Sequence, residues 1–315
     1  MPEQYGFGDS ADLQAVKASL DTGFDVVVFS HEHLDAFARA LRPHTRTPFV
    51  SVRHNVSSDA IASILADRPR LAASYRFLAM RQEKRALGGR VFDAITAISA
   101  RDQALLRQLS GRTDIGLVLP GVPPAAPLPP NGAARRDLVV SGTFDWFPKA
   151  RDLRRFAQDY AAAPVPGASL FASPTITRDI RDALGAGDET TLNYGDAIRF
   201  GIVTDRFAAG HKLKTAAYLM CNCAVVSFAP VLHDFEDMPH ARGWIHHVAS
   251  VADVAGVVDA FERRPAPALL AELAALKADL GTRLAWSAQA AALASVMESA
   301  RAKPVAARPA LDERS

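Results

Sequence analysis

The segment Asp205–Phe228, DRFAAGHKLKTAAYLMCNCAVVSF, holds the residues best suited to chemistry. It reads as a strand end, a loop, a helix and a strand. Gly210 ends the loop just ahead of the helix, and Lys212 and Lys214 fall in the helix's first turn. A helix N-terminus presents unpaired N–H groups and a partial positive charge, so with lysines beside it the place suits a diphosphate. The residues alone leave a second reading open, in which the two lysines merely solvate a helix face. His31, Glu32 and His33 form another cluster, at the end of the apolar run Asp25–Ser30. A zinc site there needs further ligands converging from elsewhere. In open α/β sheets the carboxyl ends of strands face the ligand crevice, which favours polar contacts to a bound molecule over a metal. His246 and His247 alternate across a strand, and His233, Asp234, Glu236 and Asp237 read as a solvated loop. Cys221 and Cys223 read as small buried apolar residues.

These residues need elements to place them, and the chain alternates short apolar runs with helical stretches. Asp25–Ser30, Pro48–Val52, Asp93–Ile98 and Ile115–Leu119 have the continuous apolar or β-branched character of strands buried on both faces. Between them His33–Leu41, a stretch from about Ser58 to Leu87 and Ala100–Leu109 read as helices. The long stretch stops at Gly88-Gly89 and is broken by Pro69. Pro120 to Asn131, PGVPPAAPLPPN, can neither pair in a central strand nor continue a helix, so it is an extended, semi-rigid linker. Alternation then resumes with strands at Asp137–Gly142, Ala168–Ala172, Phe200–Val203, Ala224–Phe228 and Trp244–Val248. Helices are expected at Lys149–Ala163, Thr177–Leu184, Lys212–Met220, Ala266–Leu280 and from about Arg283 to Arg301. Two α/β units joined by a proline-rich hinge imply two Rossmann-like domains facing a cleft.

Composition narrows the function. The 315 residues are 49% hydrophobic and 22% charged, ordinary for a globular protein, and the formal net charge of +2 gives no reason to expect nucleic acid. The aromatic residues are scattered and form no stacking platform. No G-x-G-x-x-G follows a strand, and no Walker sequence, G-x-S-x-G elbow or H-E-x-x-H occurs. Two cysteines two positions apart suit a reducing cytoplasm. No apolar run reaches the roughly 18–20 residues of a membrane span, and the N-terminus lacks the pattern of a signal peptide.

The order of these motifs resembles the family-four retaining glycosyltransferases, in which a glycine loop leads to a K-x-x-E-A-type helix and a P-V-V-S-type strand. Gly210, Lys214, Val225, Val226 and Ser227 match that pattern. Ala217 stands where the family usually has a glutamate, Asn222 where it has the helix-ending glycine, and Ala224 where it has a proline. The partner of that glutamate would fall at Ala209. Asparagine is the next-best residue for a left-handed helix end. VVSGTFDWFPKARDLRRF resembles the family's first strand, glycine turn and helix of the C-terminal domain, with Thr143 where many members carry arginine. PFVSVRHN resembles the histidine loop that faces the acceptor. FDAITAISARDQALL, preceded by Glu83, and VLPGVP resemble the family's approach to the linker. The resemblance covers about residues 24–300.

It implies an α/β protein of the GT-B fold: two Rossmann-like domains facing a cleft, the N-terminal one truncated. The implied divisions are residues 1–119, a shortened acceptor-side domain; 120–136, the linker; 137–282, the donor-binding domain; 283–302, a C-terminal helix; and 303–315, a flexible tail. It further implies donor-site roles for Gly142, Thr143, Lys149, Gly210, Lys212, Lys214 and Ser227, a catalytic contact from His54, and acceptor-side roles for His31 and His33. No metal or cofactor is implied beyond the nucleotide-diphosphate sugar that serves as donor. The acceptor is then a glycan or a lipid-linked glycan, in polysaccharide or glycoconjugate assembly. The expected location is the cytoplasm, with room for peripheral association at the inner face of the membrane. Ala217, Ala209 and the short N-terminal part also motivate a different class, a non-catalytic remnant that binds a partner or a glycan. A nucleotide-sugar epimerase shares the architecture and is a third reading, for which carboxylates in the cleft are expected.

Overall fold

The computed structural model describes residues 11–20, 23–88, 91–207 and 210–303. They divide into two compact units. The first holds the described residues of Met1–Pro120, Ala209–His211 and Ser287–Ser315, and the second those of Gly121–Ala208 and Lys212–Trp286.

In the first unit β1 (Val27–Ser30), β2 (Phe49–Arg53), β3 (Ala94–Ala97) and β4 (Ile115–Leu117) pair in that order, all parallel. Parallel strands need both faces covered, and the apolar runs supply both. One face packs Phe29, Phe49 and Ile95 with Leu13 of α1 (Ala11–Leu20), Leu41 of α2 (Asp35–Leu41) and Leu106 of α5 (Ala100–Ser110). The other face carries Val50 and Ala94 beneath Val296, Met297 and Ala300 of the last helix, α11 (Trp286–Ala302). That helix sits close: a Cβ on Gly116 would lie 2.9 Å from a methyl of Val296. Lys303 donates to Asp114 at 2.9 Å and to the carbonyl of Asp93, and Arg301 pairs with Asp25 at 3.0 Å. From Ser287 onward the chain is thus part of the first unit. Residues 304–315 of the expected tail lie outside the described residues.

The long helical stretch divides at the proline, into α3 (Ser57–Ile64) and α4 (Pro69–Gly88). Pro69 opens α4, where its missing N–H is not needed. Val56 cannot cap α3, and the buried Glu83 of α4 does so instead. Its carboxylate accepts from the N–H groups of Ser57 at 2.5 Å and Ser58 at 3.2 Å.

The second unit is a six-stranded parallel sheet: β5 (Ala134–Val140), β6 (Ser169–Ala172), β7 (Gly187–Asp188), β8 (Ile198–Val203), β9 (Cys223–Ser227) and β10 (Ile245–His247). The spatial order is β10-β9-β8-β5-β6-β7. The chain steps outward from β5 to β7, then returns to lay β8 on the other side of β5. The winding direction therefore reverses between β5 and β8, the switch point beyond which open α/β sheets bind ligands. Three helices connect strands, α6 (Phe147–Ala162), α7 (Arg178–Leu184) and α8 (Leu213–Met220), and α9 (Val251–Glu262) and α10 (Ala266–Arg283) follow β10.

The proline-rich stretch has no regular structure, but its backbone is tied down. Val122 N–H donates to Leu284 O and Ala126 N–H to Met220 O, each at 2.9 Å. Asn222 ends the turn after α8 at φ 59, the left-handed geometry its place at the helix end requires. Its buried amide donates to Pro127 O at 2.6 Å and Tyr194 O at 2.5 Å and accepts from Lys277, which also donates to Ala126 O at 2.8 Å. Asn222→Ala orphans two carbonyls and takes one of two acceptors from the buried Lys277 ammonium, and should lower unfolding free energy by about 3 kcal/mol. Asn222→Gly relieves the backbone but replaces none of the bonds, so urea melts should show it recovering only a small part.

Candidate functional site

Two backbone positions frame the switch point of the second sheet. β5 runs into Ser141 and Gly142, and β8 runs into Thr204 and Asp205. Gly142 has φ +112, a conformation side chains rarely adopt, and its carbonyl accepts from the Thr175 hydroxyl at 2.8 Å. A Cβ placed there would approach Lys214 Cε to 3.7 Å and Nζ to 3.8 Å. So the glycine turn after β5 and the helix after β8 meet at Lys214, although they are far apart in sequence.

Asp205 is wholly buried, and the two lysines face it from the start of α8. Lys212 Nζ lies 3.5 Å from one carboxylate oxygen, and Lys214 Nζ lies 3.9 Å from the other. Among the described residues neither oxygen of Asp205 has a hydrogen-bond partner, and neither does Lys214 Nζ, although all are buried. These are loose ion pairs in a place that desolvates charge. Aromatic faces complete the surroundings, with Lys212 Nζ 3.6 Å from the Phe207 ring centre and Lys214 Nζ 4.7 Å from that of Phe144. Burial is the main cause of a depressed Lys212, brought down to about 8, with Asp205 opposing and Lys214 and Lys149 adding to the depression. Lys214 is lowered by the same burial, again against Asp205 and with Lys149. Three ammonium groups therefore feel one another here, with one buried carboxylate among them. Two buried cations facing one anion through loose contacts, with Lys149 close enough to act on both, make a site suited to a further anion.

The surroundings hold this arrangement rigid. Tyr218 of α8 is buried, with its ring directly over Gly201 of β8, where no side chain would fit. Its hydroxyl donates to Val139 O at 3.1 Å and accepts from Ser141 N–H at 2.6 Å. This ties α8 to the end of β5. Asp152 of α6 accepts from Arg206 N–H at 2.9 Å, fixing the chain just after Asp205.

The other expected donor residues are placed as follows. Lys149 is half-buried in the first turn of α6, and Thr143 is exposed in the loop before it. The Ser227 hydroxyl is used within its own turn, donating to Ala229 O at 2.8 Å and accepting from Ala229 N–H at 3.1 Å. Gly210 has φ +68 and groups with the first unit, where a Cβ would come within 2.9 Å of His54 O. Ala209 lies outside the described residues.

In the first unit the expected histidines do come together. His31 stacks on His33 with ring centres 4.2 Å apart and on His54 at 4.9 Å. His54 Nε2 and Ser30 Oγ share a hydrogen bond of 3.2 Å. The buried Glu32 carboxylate accepts from His54 N–H at 3.2 Å and from the Asn55 amide at 3.4 Å. His31 is held at φ 104, a strained value for a side chain, of the kind found at binding sites and worth about 1–3 kcal/mol. Burial lowers the His31 imidazole, so it is neutral at pH 7. A cavity of about 170 Å³ adjoins this cluster, lined by Glu32, His33, Asp35, Arg39, Ser57 and Glu83. Its carboxylates already serve the fold, Glu83 as the cap of α3 and Asp35 as partner of buried Arg53 at 2.6 Å.

Asp205, Phe207, Phe144 and Tyr218 are absent from the residue-pattern candidates. An aspartate opening a loop gives no signal in sequence.

No family model matches the chain, and no curated protein matches it by sequence. Solved structures do match. Sucrose-phosphate synthase from Thermosynechococcus elongatus is 16% identical with a TM-score of 0.66, over 91% of this chain and 76% of that one. HepE from Anabaena, in complex with UDP and glucose, is 13% identical with a TM-score of 0.62, over 91% and 81%. The E. coli trehalose-6-phosphate protein bound with UDP-2-fluoro glucose is 13% identical with a TM-score of 0.57, over 91% and 77%. The chain is similar to all three in fold. It is an α/β protein of the GT-B fold with Rossmann-like domains, as its motif order implies.

Proposed function

We propose that this protein is a glycosyltransferase that moves a sugar from a nucleotide-diphosphate sugar to a glycan or lipid-linked acceptor, with retention, in polysaccharide or glycoconjugate assembly. One observation carries the reading: two buried lysines share a single buried carboxylate at the switch point of a parallel sheet, against a glycine turn that leaves backbone exposed. In such a transfer the bond between the anomeric carbon and the diphosphate oxygen breaks, and its electron pair leaves with the diphosphate. The acceptor hydroxyl oxygen forms the new bond to that carbon and gives up its proton to the departing diphosphate. Negative charge grows on the diphosphate, so fixed cations aimed there supply the largest catalytic contribution. Lys212, Lys214 and Lys149 take that role, Gly142 admits the phosphates, and His54 with His31 and His33 serves the sugar and acceptor. That similar folds were captured with UDP and UDP-2-fluoro glucose supports the choice of donor class.

The test is calorimetry with UDP, GDP, ADP and TDP, followed by thermal shift with the best binder. A ligand held at 100 times its Kd should add about 2.7 kcal/mol to stability. No heat from any of the four at millimolar concentration overturns the reading. A second reading is favoured by α8 itself, which carries no acidic residue and has Ala217 where a ribose-binding glutamate is usual. In that case the protein binds nucleotide without turnover, and tight UDP binding with neither transfer nor donor hydrolysis identifies it.

A further inference from the structure

Val140, Ala172 and Asp188 stand in one row across β5, β6 and β7. The next residue along each strand is Ser141, Ser173 and Glu189, so three polar residues follow one another across the carboxyl ends of the sheet. Glu189 Oε1 accepts from the Ser141 hydroxyl at 3.2 Å. Its Oε2 is buried and has no hydrogen-bond partner among the described residues. A carboxylate offers about four lone-pair sites, so part of this one's accepting capacity is open. Burial raises the Glu189 carboxyl above its ordinary range, against the Ser141 and Ser173 hydroxyls, and no cation acts on it among the described residues. Its neighbour Asp188 is already used, accepting from the N–H of Thr190 at 2.9 Å and from the Thr190 hydroxyl at 2.7 Å. Buried acceptors are nearly always paired, so an open one beside a ligand crevice points to a donor that a ligand brings.

Ser141 is followed by Gly142, where a Cβ would approach Lys214 Nζ to 3.8 Å. The crevice is therefore cationic where β8 meets β5 and carries a carboxylate without a counter-ion at the end of β7. A nucleoside diphosphate has the matching polarity, with anionic phosphates at one end and a ribose that offers two hydroxyl donors beside them. Helix α8, LKTAAYLM, has no acidic residue to meet those hydroxyls. We propose that Glu189 is the residue that accepts the ribose hydroxyls of the donor nucleotide. This assignment rests on the donor site proposed above, since it takes the phosphates to lie at Gly142 and the lysines. From there the ribose extends toward β6 and β7, because Asp205 and the lysines occupy the β8 side. An ionised acceptor makes stronger hydrogen bonds than a neutral one, and an acid takes the ribose hydroxyl in other doubly wound folds. The last torsion of a glutamate is broad, so the carboxylate turns readily to present both oxygens. A nucleobase is the poorer match, because every ribonucleotide carries the diol and only some bases place a donor there.

The experiment is calorimetry of the full-length protein with UDP, 2′-deoxy-UDP, 3′-deoxy-UDP and inorganic pyrophosphate, on wild type, Glu189→Gln and Glu189→Asp. The glutamine keeps the shape and removes the charge, and it should fold as wild type does because burial already disfavours that charge. The aspartate keeps the charge and withdraws it by one methylene. Each variant should weaken UDP by about tenfold to a hundredfold and leave pyrophosphate within about twofold. Wild type should prefer UDP to at least one deoxy ligand by about tenfold, and the variants should lose that preference. Equal affinity of wild type for UDP and both deoxy ligands overturns the proposal, as does a preference that both variants keep. An equal loss for UDP and both deoxy ligands, with pyrophosphate unchanged, overturns it and assigns Glu189 to the base. A loss that extends to pyrophosphate overturns it by making Glu189 a support of the crevice. In each of these cases UDP still binds wild type, and the donor site stands. No heat from UDP or pyrophosphate with wild type sinks the donor site, and this assignment falls with it.

Discussion

Lys214→Ala is expected to weaken UDP binding between tenfold and a hundredfold, the loss of one charge-assisted contact worth about 1.5–3 kcal/mol. The effect is large because Lys214 is buried against Gly142, where the phosphates are proposed to lie, and because water cannot replace its ammonium. Lys149→Ala should have a smaller effect, since that lysine is only half-buried and keeps more of its own hydration. A pH series checks the same assignment with a definite sign. Lys212 is depressed to about 8, so in the free protein it is charged below that pH and increasingly neutral above it. Affinity for UDP should therefore be level below pH 8 and fall above it, approaching tenfold per unit for each lysine that loses its proton. Stability of the free protein moves the other way. The unfolded chain keeps this proton up to its ordinary value of 10.5, so between about 8 and 10.5 the unfolded state binds more protons and stability rises with pH. Calorimetry from pH 7 to 10 on wild type and Lys212→Met reads both. A variant whose affinity falls with the same profile as wild type would remove Lys212 from the site.

Much of this architecture is legible in the sequence because buried parallel strands announce themselves. Runs such as DAITAI and CAVVS have one composition that satisfies two covered faces, and the proline cluster cannot be anything but a connection. Helix α9 is harder to see. Val251, Val254, Val257 and Val258 with Gly256 are weak helix formers, and what makes the helix is tertiary: Val251, Val254, Val258 and Phe261 are buried, and Ser250 with Asp253 forms a capping box. Helix α11 is legible as an alanine-rich helical stretch, which says only that a helix forms there. That it covers the first sheet, meeting Gly116 through Val296, depends on a chain path no local signal encodes. The site divides in the same way. Lys212, Lys214 and Gly142 are marked by residue type and position. Asp205 and Tyr218 become functional candidates only when the winding reversal sets β8 beside β5 and aims the tyrosine hydroxyl at the Ser141 N–H. Ser227 is the converse, suggestive in sequence and bonded within its own turn in the fold.

Asp205→Asn should separate a structural ion pair from a ligand site, because its two readouts move in opposite directions. Among the described residues Asp205 is the one anion facing these two buried ammonium groups, with a third within electrostatic reach. Removing its charge leaves those cations uncompensated, and breaking a buried pair from one side costs about 3–5 kcal/mol. For a domain of this size that is a fall in Tm of roughly 6–20 °C. A diphosphate brings back the missing negative charge at the same place. UDP should therefore raise the Tm of Asp205→Asn by more than it raises that of wild type, and its Kd for the variant should be equal or tighter, since the ligand no longer competes with the carboxylate for the lysines. The charge-neutral amide keeps the shape of the side chain, so packing is not what changes. Differential scanning calorimetry with and without UDP measures both quantities on the same samples. If Asp205→Asn is destabilised and UDP shifts it no more than wild type, the carboxylate is a structural counter-ion and the phosphates bind elsewhere. If the variant is as stable as wild type without ligand, the buried lysines are neutral in the free protein, and the diphosphate has no standing positive charge to meet.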